Sequence, residues 1–296
     1  MTVAISVGSG KGGTGKSMVV ANLATLMAKA GKRVCVVDLD LGGADIHMLF
    51  GVIKPEHSLT DFLARRVESI NGIVTTLDSF YGLQLIAGTG ETLHTANITF
   101  QEKQRLLRHL RQIDADVLLL DVGAGTSYHM LDFFMSSDIQ LCVATPEPPT
   151  VMDLYKFIQL ATVRKALGGF LSYSEVGKTL REKNFETLAE VYELADRIQP
   201  GARHKIARSL RCFQPLLVIN KVGTIARINH LKLRRLAARY LGIELQNLGE
   251  IPEDTTVSKA IGEYVPVCEY DQASPSARAL TCMSSKLIRL VELFSR

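Results

Sequence analysis

The sequence predicts an α/β fold in which a mostly parallel, twisted sheet is flanked by helices on both faces. Apolar runs of strand length alternate with longer segments of helical periodicity, as in βαβ units. These runs are continuously apolar, which is expected for strands covered on both faces. With 296 residues and 47% hydrophobic content, the chain is long enough to bury a large core. We therefore expect a single domain over residues 1–296.

Seven strands and five helices account for most of this pattern. The predicted strands are Val3 to Val7, Arg33 to Val37, Leu83 to Ala87, Val117 to Leu120, Ile139 to Ala144, Pro215 to Ile219, and a short one ending near Ile251. The predicted helices are Lys16 to Ala30, Phe100 to Gln112, Thr150 to Leu167, Ile228 to Leu241, and Ser274 to Phe294.

Residues 168–214 contain no buried strand and interrupt the alternation. Gly168-Gly169 and Pro200-Gly201 punctuate this stretch, and Ser174 to Ile198 has apolar residues at helical spacing. The segment is predicted to be a helical insertion that forms a lid or a partner-binding surface.

The beginning of the chain does not predict export. Met1 to Val7 has no basic residue and reaches glycines too soon for a signal sequence or a membrane span. We expect a cytoplasmic protein.

The cysteines do not form a metal-binding or disulfide pattern. They lie far apart, without a Cys-x-x-Cys pair, and are predicted to be buried free thiols: Cys35, Cys142, Cys212, Cys268 and Cys282.

A phosphate-binding loop joins the first predicted strand to the first predicted helix. Its glycines allow successive N–H groups to point at phosphate oxygens, and the helix adds its positive N-terminal end. Lys16 is expected to neutralise the β- and γ-phosphates of ATP, and the Ser17 hydroxyl to bind Mg²⁺. The predicted loop is Gly10, Lys11, Gly12, Gly13, Thr14, Gly15, Lys16 and Ser17.

A second lysine, Lys11, lies at the front of this loop. The pattern Lys11-Gly12-Gly13-x-Gly15-Lys16-Ser17 resembles the deviant Walker A motif of the MinD/ParA family of P-loop ATPases. That family includes FlhG-type regulators, nitrogenase iron proteins and Mrp-type cluster carriers. The resemblance implies an ATP-dependent homodimer in which Lys11 reaches the partner's nucleotide and assists catalysis, as an arginine finger does. A solvated surface lysine is the alternative.

Carboxylates follow two of the predicted strands. Asp38 and Asp40 come after the second strand, where open α/β sheets bind ligands. This segment resembles the family's switch I, which implies that Asp40 positions the attacking water and that Asp38 helps to hold Mg²⁺. Asp45 is expected to cap the following short helix.

Asp121 follows the apolar run Val117 to Leu120, the Walker B arrangement for holding Mg²⁺ through water. The segment that begins here resembles switch II, and Gly123 and Gly125 would let it move when the γ-phosphate leaves.

The resemblance also implies a pocket for the adenine ring. Asn220 follows a buried strand at the family's adenine-binding position, and Pro252, Glu253 and Asp254 resemble its second base-contacting loop. A turn-forming role for Asn220 is the alternative. The resemblance covers roughly 3–150 and 215–294, so no role in the insertion carries over.

The last helix resembles the final helix of the core fold, with no membrane-targeting helix after it. Leu287, Leu290, Val291 and Phe294 form one apolar face. We predict that this face packs on the core, since its polar face is too short and too weakly basic for lipid binding, and a weak membrane contact is the alternative.

Ten basic residues and no acidic residue lie between Arg203 and Tyr240. Three of them, Lys232, Arg235 and Arg239, share one face of a predicted helix. Such a segment suits DNA phosphates or an acidic partner, although a solvated face is an equal alternative. The ten are Arg203, Lys205, Arg208, Arg211, Lys221, Arg227, Lys232, Arg234, Arg235 and Arg239.

The sequence favours two functions, and a nucleotide-dependent scaffold without useful turnover is a third alternative. Cluster carriers are disfavoured because no cysteines are placed to bridge a dimer. The preferred prediction is a MinD/FlhG-like ATPase that hydrolyses ATP slowly, dimerises with ATP and recruits an unidentified protein partner, controlling cell division, flagella or polar organisation. Such a protein would be recruited to a pole, membrane or nucleoid. The alternative is a ParA-type partitioning ATPase that binds non-specific DNA.

Overall fold

The computed structural model describes residues 1–40, 43–88, 98–171, 173–223 and 230–295. Among them, eight strands form one sheet in the order β3-β4-β2-β5-β1-β6-β7-β8. Only β3 is antiparallel to its neighbour, and the other pairs are parallel. The strands are β1 Val3–Gly8, β2 Val34–Leu39, β3 Thr75–Leu77, β4 Leu83–Ile86, β5 Val117–Val122, β6 Ile139–Ala144, β7 Leu216–Val222 and β8 Gln246–Pro252.

The predicted parallel α/β fold is confirmed, and the seven predicted strands are present. Strand β3 was missed because it is only three residues long and lies at the sheet edge. Strands β2, β5 and β7 run further than predicted, so that Asp38, Asp121 and Asn220 lie within the strands and not after them.

Twelve α-helices lie in the described part of the chain, and all five predicted ones are among them. The Ile228 start of one predicted helix lies outside the described residues. The helices are α1 Lys16–Lys29, α2 Leu59–Leu63, α3 Phe100–Leu110, α4 Tyr128–Met135, α5 Pro148–Leu167, α6 Glu175–Glu182, α7 Leu188–Ile198, α8 Ala202–Leu210, α9 His230–Leu241, α10 Thr255–Gly262, α11 Val267–Tyr270 and α12 Pro275–Phe294.

Helices cover both faces of the sheet. Leu118 and Leu120 of β5 belong to a core that includes residues of α3, α4, α5 and α9. Val117 and Leu119 of the same strand belong to the opposite core, with residues of α1, α10, α11 and α12. Burial on both faces explains why the strands read as continuous apolar runs.

Three helices, α6 to α8, occupy most of residues 168–214, where the sequence predicts a helical insertion. They share a separate small core with the end of α5, which contains Val176, Leu180, Val191, Ala195, Ala202 and Ile206. Helix α8 was not predicted; it begins after Gly201, whose φ of 83° turns the chain. The functional role of this segment stays a prediction.

The last helix packs against the core as predicted, but its apolar face is shorter than expected. Leu287 and Val291 are buried, whereas Phe294 is 52% exposed at the end of α12. Including Phe294 in the buried face was therefore wrong, because the helix is exposed at its end, where Leu293 is uncovered as well. No described helix has the length and hydropathy needed to cross a bilayer.

The prediction that every cysteine is buried was also wrong. Cys35, Cys142 and Cys268 are buried, but Cys212 and Cys282 are exposed. Cys212 lies just after α8, and Cys282 lies on the outer face of α12. Helical spacing alone did not distinguish these two positions from buried ones. Burial raises the pKa of the Cys35 thiol to about 12.

Candidate nucleotide-binding site

The glycine-rich loop lies between β1 and α1, at the carboxyl ends of the central strands. Helix α1 begins at Lys16, and its N-cap residue Gly15 has a φ of 87° and provides no side-chain cap. The first N–H groups of α1 therefore point toward the loop without a protein side chain at the cap, which is the geometry that suits an anion.

An open cavity of about 440 Å³ lies over this loop. Lys16 lines it and is 7% exposed, so its ammonium group is held at the cavity by the surrounding protein. Lys11 is exposed and is not part of the lining. The lining residues are Gly12, Gly13, Gly15, Lys16, Ser17, Met18, Asp40, Gly43, Asp45, Met48, Leu49, Ala124, Ile261 and Tyr264.

Gly10 has a packing role that Gly12 and Gly13 lack. A methyl group on Gly10 would lie 2.1 Å from the backbone oxygen of Asp153 in α5, whereas one on Gly12 would meet nothing within 4 Å. The start of the loop is therefore packed directly against the backbone of α5.

We expect Gly10→Ala to lower the free energy of unfolding by about 1–3 kcal/mol, because two backbones must separate to admit the methyl group. Gly12→Ala is the matched control and should change it by less than about 0.5 kcal/mol. Urea unfolding of both variants tests this. Equal stabilities of the two variants would contradict the close approach to α5.

Asp38 and Asp121 lie side by side on two paired strands. They are register partners in the β2–β5 pair, and both are buried. Asp38 accepts hydrogen bonds from the backbone N–H groups of Asp40, at 3.0 Å, and Ile46, at 3.3 Å. Burial, followed by the charge of Asp121, raises the pKa of Asp38 well above its usual value.

The Asp121 carboxylate has the character of a cation site. Burial raises its pKa to about 7, while a hydrogen bond from Ser17 and the charge of Lys16 oppose that shift. Its Oδ1 is buried and has no hydrogen-bond partner among the described residues. A buried carboxylate oxygen beside a hydroxyl fits the oxygen chemistry of Mg²⁺. The described residues hold no group of three or more His, Cys, Asp and Glu side chains suited to a metal.

Asp40 lies between the loop and the segment after β5. It lines the cavity, and a methyl group on Gly123 would lie 3.0 Å from Asp40 Oδ1. The next two residues, Leu41 and Gly42, lie outside the described residues. The expectation for Asp45 was half right: it precedes the short 3₁₀ helix Ile46–Phe50, but its side chain makes no capping hydrogen bond.

The side chains predicted to bind adenine have structural contacts of their own. Asn220 is buried, and its Nδ2 donates to the backbone oxygen of Thr14 at 2.8 Å. Asp254 caps α10, accepting hydrogen bonds from the N–H groups of Thr256 and Ser276. The Pro252 carbonyl accepts a hydrogen bond from the Ser276 hydroxyl, and the Glu253 N–H bonds to Val222. These contacts fix the β7 and β8 ends beside the phosphate loop.

Two residues near the loop were missed as site residues. Lys221, assigned to the basic segment, has a left-handed φ of 57°, and its Nζ donates to the Gly13 carbonyl at 3.2 Å. The second missed residue is Glu147. Its pKa is lowered by a hydrogen bond with Thr145, and the positive charges of Lys221 and Lys11 lower it as well. The position of Lys221 directly after Asn220 was the available signal. Lys221 therefore contacts the loop while remaining exposed.

Comparison with known families decides what kind of protein has this loop. The profile of the ParA family, described as "NUBPL iron-transfer P-loop NTPase", matches residues 1–168. The chain belongs to the ParA family of P-loop NTPases. The predicted MinD/ParA membership is thus confirmed.

Relatives of this ParA-family protein span nearly the whole chain. The antiactivator FleN of Pseudomonas aeruginosa is 26% identical over 285 residues, covering 96% of this chain and 85% of FleN. An uncharacterised ATP-binding protein of Methanocaldococcus jannaschii is 26% identical over 268 residues, covering 88% and 96%. The septum site-determining protein MinD of Pyrococcus horikoshii, solved with Mg-ADP, has the same fold, with a TM-score of 0.71, 21% identity and coverage of 99% and 98%.

The words "iron-transfer" in the family description are not matched by the cysteines of this protein. Three of the five are buried in the core, and the five are free in the structure. No cysteine lines the cavity over the phosphate loop. That this protein is not a cluster carrier stays a prediction.

Proposed function

We propose that this ParA-family protein is a slow, partner-stimulated ATPase that acts as a nucleotide-dependent dimerising switch. Its task is spatial or numerical regulation, such as that of cell division, flagella or polar organisation. The similarity to an antiactivator and to a septum site-determining protein supports this task. We propose a cytoplasmic protein that protein partners recruit to a pole, membrane or nucleoid.

The residues at the cavity take the following roles in this proposal. The N–H groups of residues 10–17 and the Lys16 ammonium bind the phosphates of ATP. Ser17, Asp38 and Asp121 hold Mg²⁺, which supplies charge neutralisation at the phosphates. Asp40 orients the attacking water, since it lines the cavity next to Lys16 and Ser17. Asn220, Pro252, Glu253 and Asp254 form the adenine side of the site.

The observation that carries the switch proposal is the position of Lys11. Its backbone oxygen accepts a hydrogen bond from Ser9 Oγ at 2.6 Å, which fixes the loop, while its side chain is exposed and does not line the cavity. A cation presented outward beside a nucleotide site suits the nucleotide of a second copy. Each chain then binds one nucleotide, and the Lys11 of a second chain completes the site.

We expect the Asp40→Ala variant to bind ATP, to stay dimeric with ATP and to retain the partner, because the attacking water is no longer oriented. Lys16→Ala is the control that removes nucleotide binding. Size-exclusion chromatography with light scattering, followed by a pull-down with both variants, measures this. A partner held equally by both variants would argue against nucleotide-controlled recruitment.

A partitioning ATPase that binds DNA is the second candidate, and α8 favours it. Four exposed cations of the segment 202–211 make no ion pair with another described residue: Arg203, Lys205, Arg208 and Arg211. Aromatic rings lie against two of them, Tyr192 at 5.2 Å from Arg203 and Phe170 at 5.9 Å from Lys205.

Helix α9 also presents exposed cations. Arg235 and Arg239 are exposed, but Arg227 and the side chain of Lys232 lie outside the described residues. ATP-dependent retention of non-specific DNA that weakens steeply with salt would favour this second candidate. Absence of DNA binding at low salt would remove it, and anionic liposomes test membrane recruitment in the same assay.

A further inference from the structure

A partly buried ionic cluster joins α4 to the helices on either side of it. Asp132 of α4 accepts hydrogen bonds from Arg164 of α5, from Nε at 2.7 Å and from Nη2 at 3.0 Å. Lys103 of α3 donates to the same carboxylate. The side chains of Lys103, Asp132 and Arg164 are 4%, 16% and 24% exposed. These three residues are called the Asp132 cluster below.

The cluster holds one defined geometry. Burial by itself would raise the pKa of Asp132, but hydrogen bonds from Arg164 and Lys103 hold it below its usual value. The carboxylate is therefore charged at neutral pH and fixed between two cations. Partly buried ion pairs add little stability compared with apolar packing, so a role in setting geometry is the better explanation for their presence.

Helix α4 connects this cluster to Asp40. A methyl group on Gly123 would lie 2.8 Å from the sulfur of Met130 in α4 and 3.0 Å from Asp40 Oδ1. Gly123 is thus enclosed between Met130 and Asp40. Further along the same segment, the Gly125 N–H donates to the Ser9 carbonyl at 3.1 Å. The segment 122–127 therefore contacts both α4 and the backbone just before the phosphate loop.

We propose that the Asp132 cluster is a set of positioning residues that holds α4 so that Met130 and Gly123 keep Asp40 aligned with the phosphate loop. The inference rests on the ATPase function proposed above. None of the three side chains lines the cavity, so they act through Asp40 and not on the nucleotide.

The test uses Asp132→Asn, which keeps the shape of the side chain and removes its charge. ATP turnover should fall about tenfold, because a displaced Asp40 no longer orients water, while ATP affinity stays within about twofold. The control is Glu269→Gln, which breaks the ion pair with Lys29 on the opposite face of the sheet and should leave turnover unchanged. If Asp132→Asn does not fold, Lys103→Gln removes one cation and leaves both Arg164 hydrogen bonds.

Hydrogen exchange supplies a readout that does not depend on turnover. Amides of residues 122–135 should exchange faster in Asp132→Asn than in the wild type and Glu269→Gln. Met130→Ala should also lower turnover. In the double variant with Asp132→Asn it should lower turnover little further, because both residues act through the position of Asp40. Unchanged exchange, or turnover losses that simply multiply in the double variant, would overturn the proposal. Wild-type turnover no higher than that of Lys16→Ala would refute the ATPase function instead, and the exchange data would still decide on the cluster.

Discussion

Lys16→Ala should abolish nucleotide binding and lower ATP turnover at least about a hundredfold, the effect of removing a preorganised charge from a phosphoryl-transfer site. Lys16 is 7% exposed and lines the cavity. Alanine leaves the phosphates without this counter-charge, and Lys11 does not line the cavity and so does not replace it. Isothermal titration with ATP and Mg²⁺, together with phosphate release, measures both quantities.

Lys259→Ala is the control for this variant, because Lys259 is an exposed lysine on α10, the helix whose Ile261 lines the same cavity. It removes the same charge near the site without touching the loop. Unchanged ATP affinity in Lys16→Ala would show that the cavity over the loop is not the nucleotide site. Equal losses of ATP affinity in the two variants would show that the effect comes only from the change in net charge.

Features encoded by neighbouring residues were predictable from the sequence. The loop from Gly10 to Ser17 is one continuous segment. The strand propensity before it and the helix propensity after it place it at the carboxyl end of a strand. Asp38 and Asp121 are far apart in sequence, yet each ends an apolar run. Because parallel strands end at one edge, their proximity followed from the fold class.

Features that depend on contacts between distant residues were not predictable. Nothing in the sequence around Asp132 shows that Lys103 and Arg164, 29 and 32 residues away, bind its carboxylate. The same holds for Lys221, whose left-handed backbone directs its side chain to Gly13. Composition counted Lys221 as one more basic residue, whereas only the packing of β7 beside the loop assigns it to the site.

Lys11→Ala should separate ATP binding from turnover. Because Lys11 is exposed and does not line the cavity of its own chain, ATP affinity of the monomer should stay within about threefold. ATP-dependent dimerisation should be lost, and turnover should fall about a thousandfold, the low end of the effect of a cation supplied in trans. Titration, light scattering and phosphate release measure the three quantities in one preparation.

Mixing Lys11→Ala with Asp40→Ala decides whether Lys11 acts on the partner's nucleotide. Neither protein alone has a complete site, but a mixed dimer pairs the Asp40 of one chain with the Lys11 of the other. Each mixed dimer has one complete site, because the Asp40→Ala chain supplies the Lys11 that its partner lacks, so the mixture should turn over more ATP than the two separate proteins together. If Lys11 serves its own chain, the mixed dimer has no complete site and mixing restores nothing. Full turnover in Lys11→Ala alone would leave the nucleotide site in place and remove the composite site from the mechanism.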